Sequence, residues 1–536
     1  MRGTRRLASA AIVGCALIGA AAPTAGAQAP KVPNLNWQPC GDAPNVTCTT
    51  AQVPLDYDKP NGKSIKLFLA KSPATDPAHR IGSLFINFGG PGGTTAATFE
   101  ANGADAFPGL NQRYDIIGMD VRGVGQSEPS IDCKANQETQ GIYSQPFPTP
   151  DNVNPRALIN KDLRYIDRCI ELNSEILPHV STANVARDID LLRQALGEQK
   201  ITYFGYSYGT FLGATYASMF PHNYRAMVLD GPVDADSYIN EPMDDLAAQS
   251  TGFERALGHF FEACAAHQDA CHGFGDGDPR DGYDQLIDQL NANPIPANGF
   301  PNDPRPVNGD TALIATALAL YNKQSWPFLA QALADAVNHD GSRLRLAADA
   351  YYGNNFDGTF DPGGDRYFTI GAIEQRYPRD IDLYFKAGKR SWSEHEHTWW
   401  NNGYVELNYG LWPIRDRDAF DGPFHIPGSS ATPLVVATTY DPATPYRGAK
   451  NLVRDLGNAR MITMRGDGHT AYFGNSACID TAVEAYLDEG TLPAPGTSCK
   501  QDVTFGAPQP TAQALKVQPI APLQPQAHVK SLVPLR

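Results

Sequence analysis

The sequence predicts an α/β fold: a mostly parallel central sheet with helices on both faces, interrupted by a large, mainly helical insertion. Three observations predict it. Short apolar runs are continuous rather than alternating, as expected of strands covered on both faces. Helix-periodic segments lie between them, which argues for βαβ units. From about 235 to 420 that rhythm breaks, and the chain becomes rich in Gly, Asn, Asp and aromatic residues.

The predicted strands are Ser83–Phe88, Tyr114–Met119, Ile201–Phe204, Ala226–Leu229, Leu434–Thr438 and Met461–Met464. A helix is predicted from Asn184 to Leu196, where Val185, Ile189, Leu192 and Leu196 repeat at helical spacing; Ser181 or Thr182 can cap it and Gly197 ends it. Within the break, Thr311–Ala319 and Phe328–Val337 read as helices. The domain reading is therefore core over 28–234, a cap or insertion over 235–420, and the rest of the core over 421–504. From 505 to 536 the chain is rich in Pro, Gln and Ala without periodicity and reads as a disordered tail.

Residues 1–27 read as a cleavable export signal. Arg2, Arg5 and Arg6 form its basic region, a small-residue apolar stretch follows, and Ala25-Gly26-Ala27 gives the cleavage site. A lipoprotein box at Ile12–Cys15 fits less well, because half the apolar stretch lies beyond Cys15, and the twin-arginine route stays open. Cleavage takes the net charge from −15 to −18. That acidity argues against nucleic acid as a partner. No apolar run outside the N-terminus is long enough for a membrane span.

Eight cysteines then remain: Cys40, Cys48, Cys133, Cys169, Cys264, Cys271, Cys478 and Cys499. In an exported chain they read as disulfides, with 105 possible connectivities, of which sequential pairing fits their four local groups. Metal binding is not expected. No C-x-x-C occurs, His395 and His397 flank Glu396 without forming H-E-x-x-H, and Asp276, Asp278 and Asp281 lack EF-hand spacing. No cofactor is expected either, and the chain reads as a monomer.

The chemistry sits at strand ends. Gly205-Tyr206-Ser207-Tyr208-Gly209 follows a strand and precedes a helix, the context that a nucleophile elbow requires. A serine hydroxyl needs a base to remove its proton. His469, in the Gly-rich turn Gly466–Thr470, is the candidate base, and Asp441, 28 positions earlier and directly after another strand, the carboxylate that orients it. Asp467 competes for that role but shares a loop with His469. Backbone N–H groups of Tyr208 and of Gly90, in the run Gly89–Gly93, are the candidate oxyanion hole.

Phe88-Gly89-Gly90-Pro91-Gly92 resembles the H-G-G-P-G motif of prolyl aminopeptidase-type α/β-hydrolases, with Phe88 in place of His, and Asp120–Ser127 matches their D-x-R-G-x-G-x-S segment. Trp412-Pro413, Tyr440–Tyr446, Gly466–Tyr472 and the stretch from Cys478 to Cys499 resemble the secreted tripeptidyl aminopeptidases of actinomycetes; the similarity runs from about Trp37 to Phe505 and is loosest in the cap. The resemblance implies an α/β-hydrolase fold and an exported serine exopeptidase that removes short peptides, often tripeptides, from free N-termini.

Such an enzyme must hold a charged α-amino group. Glu241, Asp244, Asp245 and Glu374 of the cap are the candidates, and none is singled out by spacing; Tyr351, Tyr352, Trp399 and Trp400 are candidate groove residues. A carboxylesterase or lipase would use the same triad on an ester, although a polar, acidic cap fits a lipase poorly. A non-catalytic scaffold would have no need of all three of Ser207, Asp441 and His469.

Overall fold

The computed structural model describes residues 29–506 except 144, 145, 304, 356 and 357. The expected export signal lies outside the described residues, as does the expected tail from 507 onward.

The described residues form one ten-stranded sheet. Its strands are β1 (Gln38–Pro39), β2 (Thr47–Pro54), β3 (Ser64–Ser72), β4 (Gly82–Asn87), β5 (Tyr114–Asp120), β6 (Ile201–Tyr206), β7 (Tyr224–Asp230), β8 (Leu434–Tyr440), β9 (Arg460–Asp467) and β10 (Ser498–Lys500). Their order is β1-β2-β3-β5-β4-β6-β7-β8-β9-β10. The first three pairings are antiparallel and the other six are parallel. The six predicted strands are β4 to β9. They are legible because their central residues are buried, so the apolar runs are unbroken; β5, β7, β8 and β9 have half-buried or exposed residues only toward their ends. β2 and β3 were not predicted; they alternate buried and exposed residues at the sheet edge and carry Thr, Gln and Lys.

Alternate residues of each central strand feed two apolar layers. Leu84, Ile86, Phe204 and Val228 pack on one face with the helices Ala96–Asn102 and Ala477–Glu489. Phe85, Tyr203 and Leu229 pack on the other. That second layer runs without a break into the insertion, through Phe253, Leu286, Trp326 and Leu333. The helices between β7 and β8, from Ala235–Asn240 to Leu407–Leu411, thus share the core of the sheet and have none of their own. The predicted helices appear there as Gly309–Leu320 and Trp326–Val337.

Phe505, read from sequence as the first residue of a disordered tail, is only 7% exposed and packs against Phe260 and Trp326 of the insertion. The helix Thr182–Ala195 matches prediction in place but not in capping. Neither the Ser181 nor the Thr182 hydroxyl caps it. Instead the N–H of Ser181 donates to Asp416 at 2.8 Å and that of Thr182 donates to Glu374 at 2.8 Å. Carboxylates brought in by the distant chain occupy the positive end of the helix.

The cysteines pair as Cys40–Cys48, Cys133–Cys169, Cys264–Cys271 and Cys478–Cys499.

Candidate active site

Ser207 sits at the turn from β6 into the helix Tyr208–Met219, with φ +54° and ψ −126°. A non-glycine residue rarely adopts this conformation, and the surrounding chain must enforce it. The N–H of Ser207 donates to the Asp230 carbonyl at 3.0 Å, and Thr210 Oγ1 donates to the Ser207 carbonyl at 2.6 Å. The flanking glycines are dictated by space. A Cβ on Gly205 would strike the Gly209 carbonyl, and one on Gly209 would lie 2.6 Å from the Asn87 carbonyl.

The glycine run after β4 closes over this turn. A Cβ on Gly89 would lie 2.9 Å from Ser207 Cβ and 3.2 Å from the Tyr208 nitrogen. Gly89, rather than Gly90, abuts Ser207 directly, and Gly90 follows one residue on with φ +121°. Tyr208 is the first residue of its helix, so its N–H has no partner within that helix. The Asp120–Ser127 segment supports this loop. Asp120 accepts the N–H groups of Thr95 (2.8 Å), Ala96 (3.0 Å) and Gln126 (3.0 Å), which fixes the chain directly after Gly93. Arg122 is fully buried. It donates twice to Asp188 at 2.7 Å and also to the carbonyls of Leu55, Pro54 and His179. Phe88 stacks on Phe99, Phe107 and Tyr206, so an aromatic cluster occupies the place of the family's histidine.

His469 follows β9, and Asp441 follows β8. His469 Nδ1 lies 2.9 Å from Asp441 Oδ2 and 3.0 Å from Oδ1. The carboxylate accepts from Nδ1–H and so leaves Nε2 free of its proton. Asp441 is 1% exposed and is held in turn by the N–H groups of Ala443 (2.9 Å) and Thr444 (2.8 Å) and by the Thr444 hydroxyl (3.0 Å). His469 Nε2 is buried and makes no hydrogen bond, the Ser207 hydroxyl included. Such contacts often tighten only once substrate is bound.

Asp467 is not a rival to Asp441. It accepts from His259 Nδ1 at 2.6 Å and from Lys323 Nζ at 2.6 Å, both in the insertion. Burial opposes its ionisation, but these two partners hold its carboxyl below the usual range. The insertion also reaches His469 itself, whose N–H donates to the Tyr321 carbonyl at 2.7 Å while the Tyr321 ring stands edge-on to the imidazole.

The cap candidates separate. Glu241 and Asp244 are exposed at the start of the helix Pro242–Ala266. Glu374 is buried, accepts from the Thr182 N–H and from the Tyr238 hydroxyl at 3.2 Å, and is pushed up to about 7 by burial; its oxygens are engaged in holding the fold. Burial, with the charge of Asp234 adding, holds Asp245 up at about 7. Glu406 was missed, because nothing in its sequence neighbourhood marks it. It is fully buried and pushed up to about 8 by burial. One oxygen accepts from Asn402 at 2.9 Å and from the Gly403 N–H at 2.6 Å, and the other has no partner. The charges of Asp245 and Glu406 both act on Tyr367.

Tyr367 lines a narrow cavity between the insertion and the chain around Tyr143, together with Ser250, Tyr321, Tyr351 and Trp400. Of the candidate groove residues, Tyr351 and Trp400 thus face this cavity. Tyr352 packs on Tyr143, and Trp399 packs on Trp392 while its indole N–H donates to the Pro148 carbonyl. His395 bonds Thr251 Oγ1 at 2.9 Å, and His397 lies between Glu254 (2.7 Å) and Asp284 (2.8 Å).

Residues 84–476 match the family model described as alpha/beta hydrolase fold. The chain belongs to the α/β-hydrolase family. It is a serine hydrolase of that family, with the sheet order and strand-end residues described above. It is 32% identical to serine protease Hip1 of Mycobacterium tuberculosis over 87% of this chain and 91% of the relative. It is 32% identical to carboxylesterase B of the same organism over 87% and 90%. It is 30% identical to the tripeptidyl aminopeptidase of Streptomyces lividans over 88% and 87%. Among the described residues, no helix is long and apolar enough to cross a membrane.

Proposed function

We propose that this chain is an exported serine exopeptidase that releases short peptides, tripeptides in the main, from free N-termini. The observation that carries the reading is the Asp441–His469 pair, which leaves an unbonded Nε2 at the strand ends where Ser207 is held at a strained turn. The relatives named serine protease and tripeptidyl aminopeptidase support it.

In this reading Ser207 Oγ attacks the scissile carbonyl as His469 Nε2 takes its proton. The new oxyanion is met by the N–H groups of Tyr208 and Gly90. His469 then gives the proton to the departing amine, and the C–N bond breaks to leave an ester on Ser207. Water, deprotonated by the same nitrogen, hydrolyses that ester. Asp441 holds the imidazole in one tautomer and stabilises its charged form.

For the α-amino group we favour Asp245 and Glu406 over the other carboxylates. The carboxyls of both are raised, to about 7 and about 8, so an ammonium that reached them would repay the cost of ionising them. Glu406→Gln and Asp245→Asn are expected to raise KM for a free-amine tripeptide anilide by about tenfold, the order of one lost charged hydrogen bond, and to leave an ester substrate without an amine untouched.

The test of the whole reading is hydrolysis of a tripeptide anilide with a free amine against its N-blocked form. Equal rates on both would sink the exopeptidase assignment. It would favour the ester-hydrolase reading, which the equally similar carboxylesterase B keeps open. Mass spectrometry of a digested long peptide shows whether triplets or single residues leave.

A further inference from the structure

We propose that Asp230, with Gly231 beside it at the end of β7, is the positioning residue that sets His469 against Ser207. The inference rests on the reading of Ser207, His469 and Asp441 as the reacting set.

Three chain segments meet on these two residues. The Asp230 carbonyl accepts the Ser207 N–H at 3.0 Å and so pins the strained turn. The Asp230 carboxylate is fully buried. It accepts the Ala471 N–H at 2.9 and 3.1 Å and the Tyr472 N–H at 2.8 Å, both in the loop that carries His469. The Gly231 N–H donates to the Val436 carbonyl at 3.1 Å on β8, the strand that leads to Asp441. Gly231 has φ +65°, and a Cβ there would lie 2.9 Å from His469 Cε1 and 3.0 Å from Thr470 Cγ2. The imidazole therefore rests directly on this glycine.

A fully buried carboxylate is costly without a cation. Among the described residues no Lys or Arg side chain is bonded to Asp230; its partners are backbone N–H groups, and the charges that face it are those of His469 and Asp441. Burial pushes its carboxyl up to about 7, while the N–H bonds and His469 favour its ionised form. Both oxygens accept, so an amide of the same shape would turn its NH2 group onto a backbone N–H. The loop beyond His469 presents two N–H donors to this side chain, and a carboxylate accepts them with both oxygens.

Asp230→Asn is the test, with turnover of a free-amine tripeptide anilide normalised to the Ser207 that a fluorophosphonate titrates. The expected result is a fall in kcat of about a hundredfold, the loss that a displacement of about 1 Å brings, with KM changed by less than about threefold. A folded Asp230→Asn with kcat per titrated serine within about threefold of wild type overturns the proposal. If that variant does not fold, Gly231→Ala decides. It keeps the Asp230 carboxylate and crowds the His469 ring and Thr470, so unchanged kcat there also overturns it. Ser207→Ala, run alongside, separates the two readings: turnover that survives it refutes the reacting set itself, whatever Asp230→Asn does.

Discussion

The sheet and the insertion bury polar groups in opposite ways. In the sheet, buried charges gather several partners each. Arg122 meets Asp188 and three carbonyls, and Asp120 meets three N–H groups of the adjoining loops. In the insertion, some charged groups meet partners far along the chain, and one is only partly paired among the described residues. His397 lies between Glu254 and Asp284, Glu374 reaches Thr182, and one oxygen of Glu406 is unpartnered. The strained Ser207 turn is thus backed by a densely bonded sheet, whereas one buried carboxylate oxygen of the insertion stays unengaged.

The comparison breaks most readily at Arg122. Arg122→Ala would leave the Asp188 carboxylate buried without its cation, with only the Tyr57 hydroxyl as a side-chain partner, and a loss of about 3–5 kcal/mol is expected. Urea unfolding would measure it, and a change below about 1 kcal/mol would mean that the sheet's polar pairing is not what holds this corner. Glu374→Ala comes next, at about 1–3 kcal/mol, because it strips the acceptor from the Thr182 N–H at the seam between the two regions.

His397 sharpens the contrast through pH. Its two carboxylate partners outweigh burial and raise it above the ordinary value. A raised histidine contributes stability that is complete below its unfolded value of about 6.5 and is lost as pH rises through the folded one. Glu254, held low by the same contact, adds stability above its ordinary range and loses it only in acid. The melting temperature of wild type should therefore exceed that of His397→Gln by most near pH 6, and the gap should narrow toward pH 9. A gap that is constant with pH would show His397 to be neutral in the fold. The smallest effect is expected at Ser181. Its hydroxyl has no partner and caps nothing, so Ser181→Ala should stay within about 0.5 kcal/mol.

The same contrast decides what could be read from sequence. Strands β4 to β9 declare themselves because burial on both faces forbids polar interruptions, and Ser207, Asp441 and His469 stand at their ends in motifs that the backbone geometry demands. β2 and β3 lack such runs because one side of each is wet. Glu374 was legible only as one carboxylate among several, since its partners Thr182 and Tyr238 are 192 and 136 positions away. Glu406 carries no local pattern at all, because its isolation is a property of packing. Asp230 was hidden in plain view as the last residue of a predicted strand's neighbourhood; its meaning lies in the loop 241 positions later.

One bond described above joins the two regions at their most sensitive point. The N–H of His469 is held by a carbonyl of the insertion, that of Tyr321. The backbone position of the histidine is thus set in part by a segment outside the sheet, so a displacement of Tyr321 would pull on His469 directly.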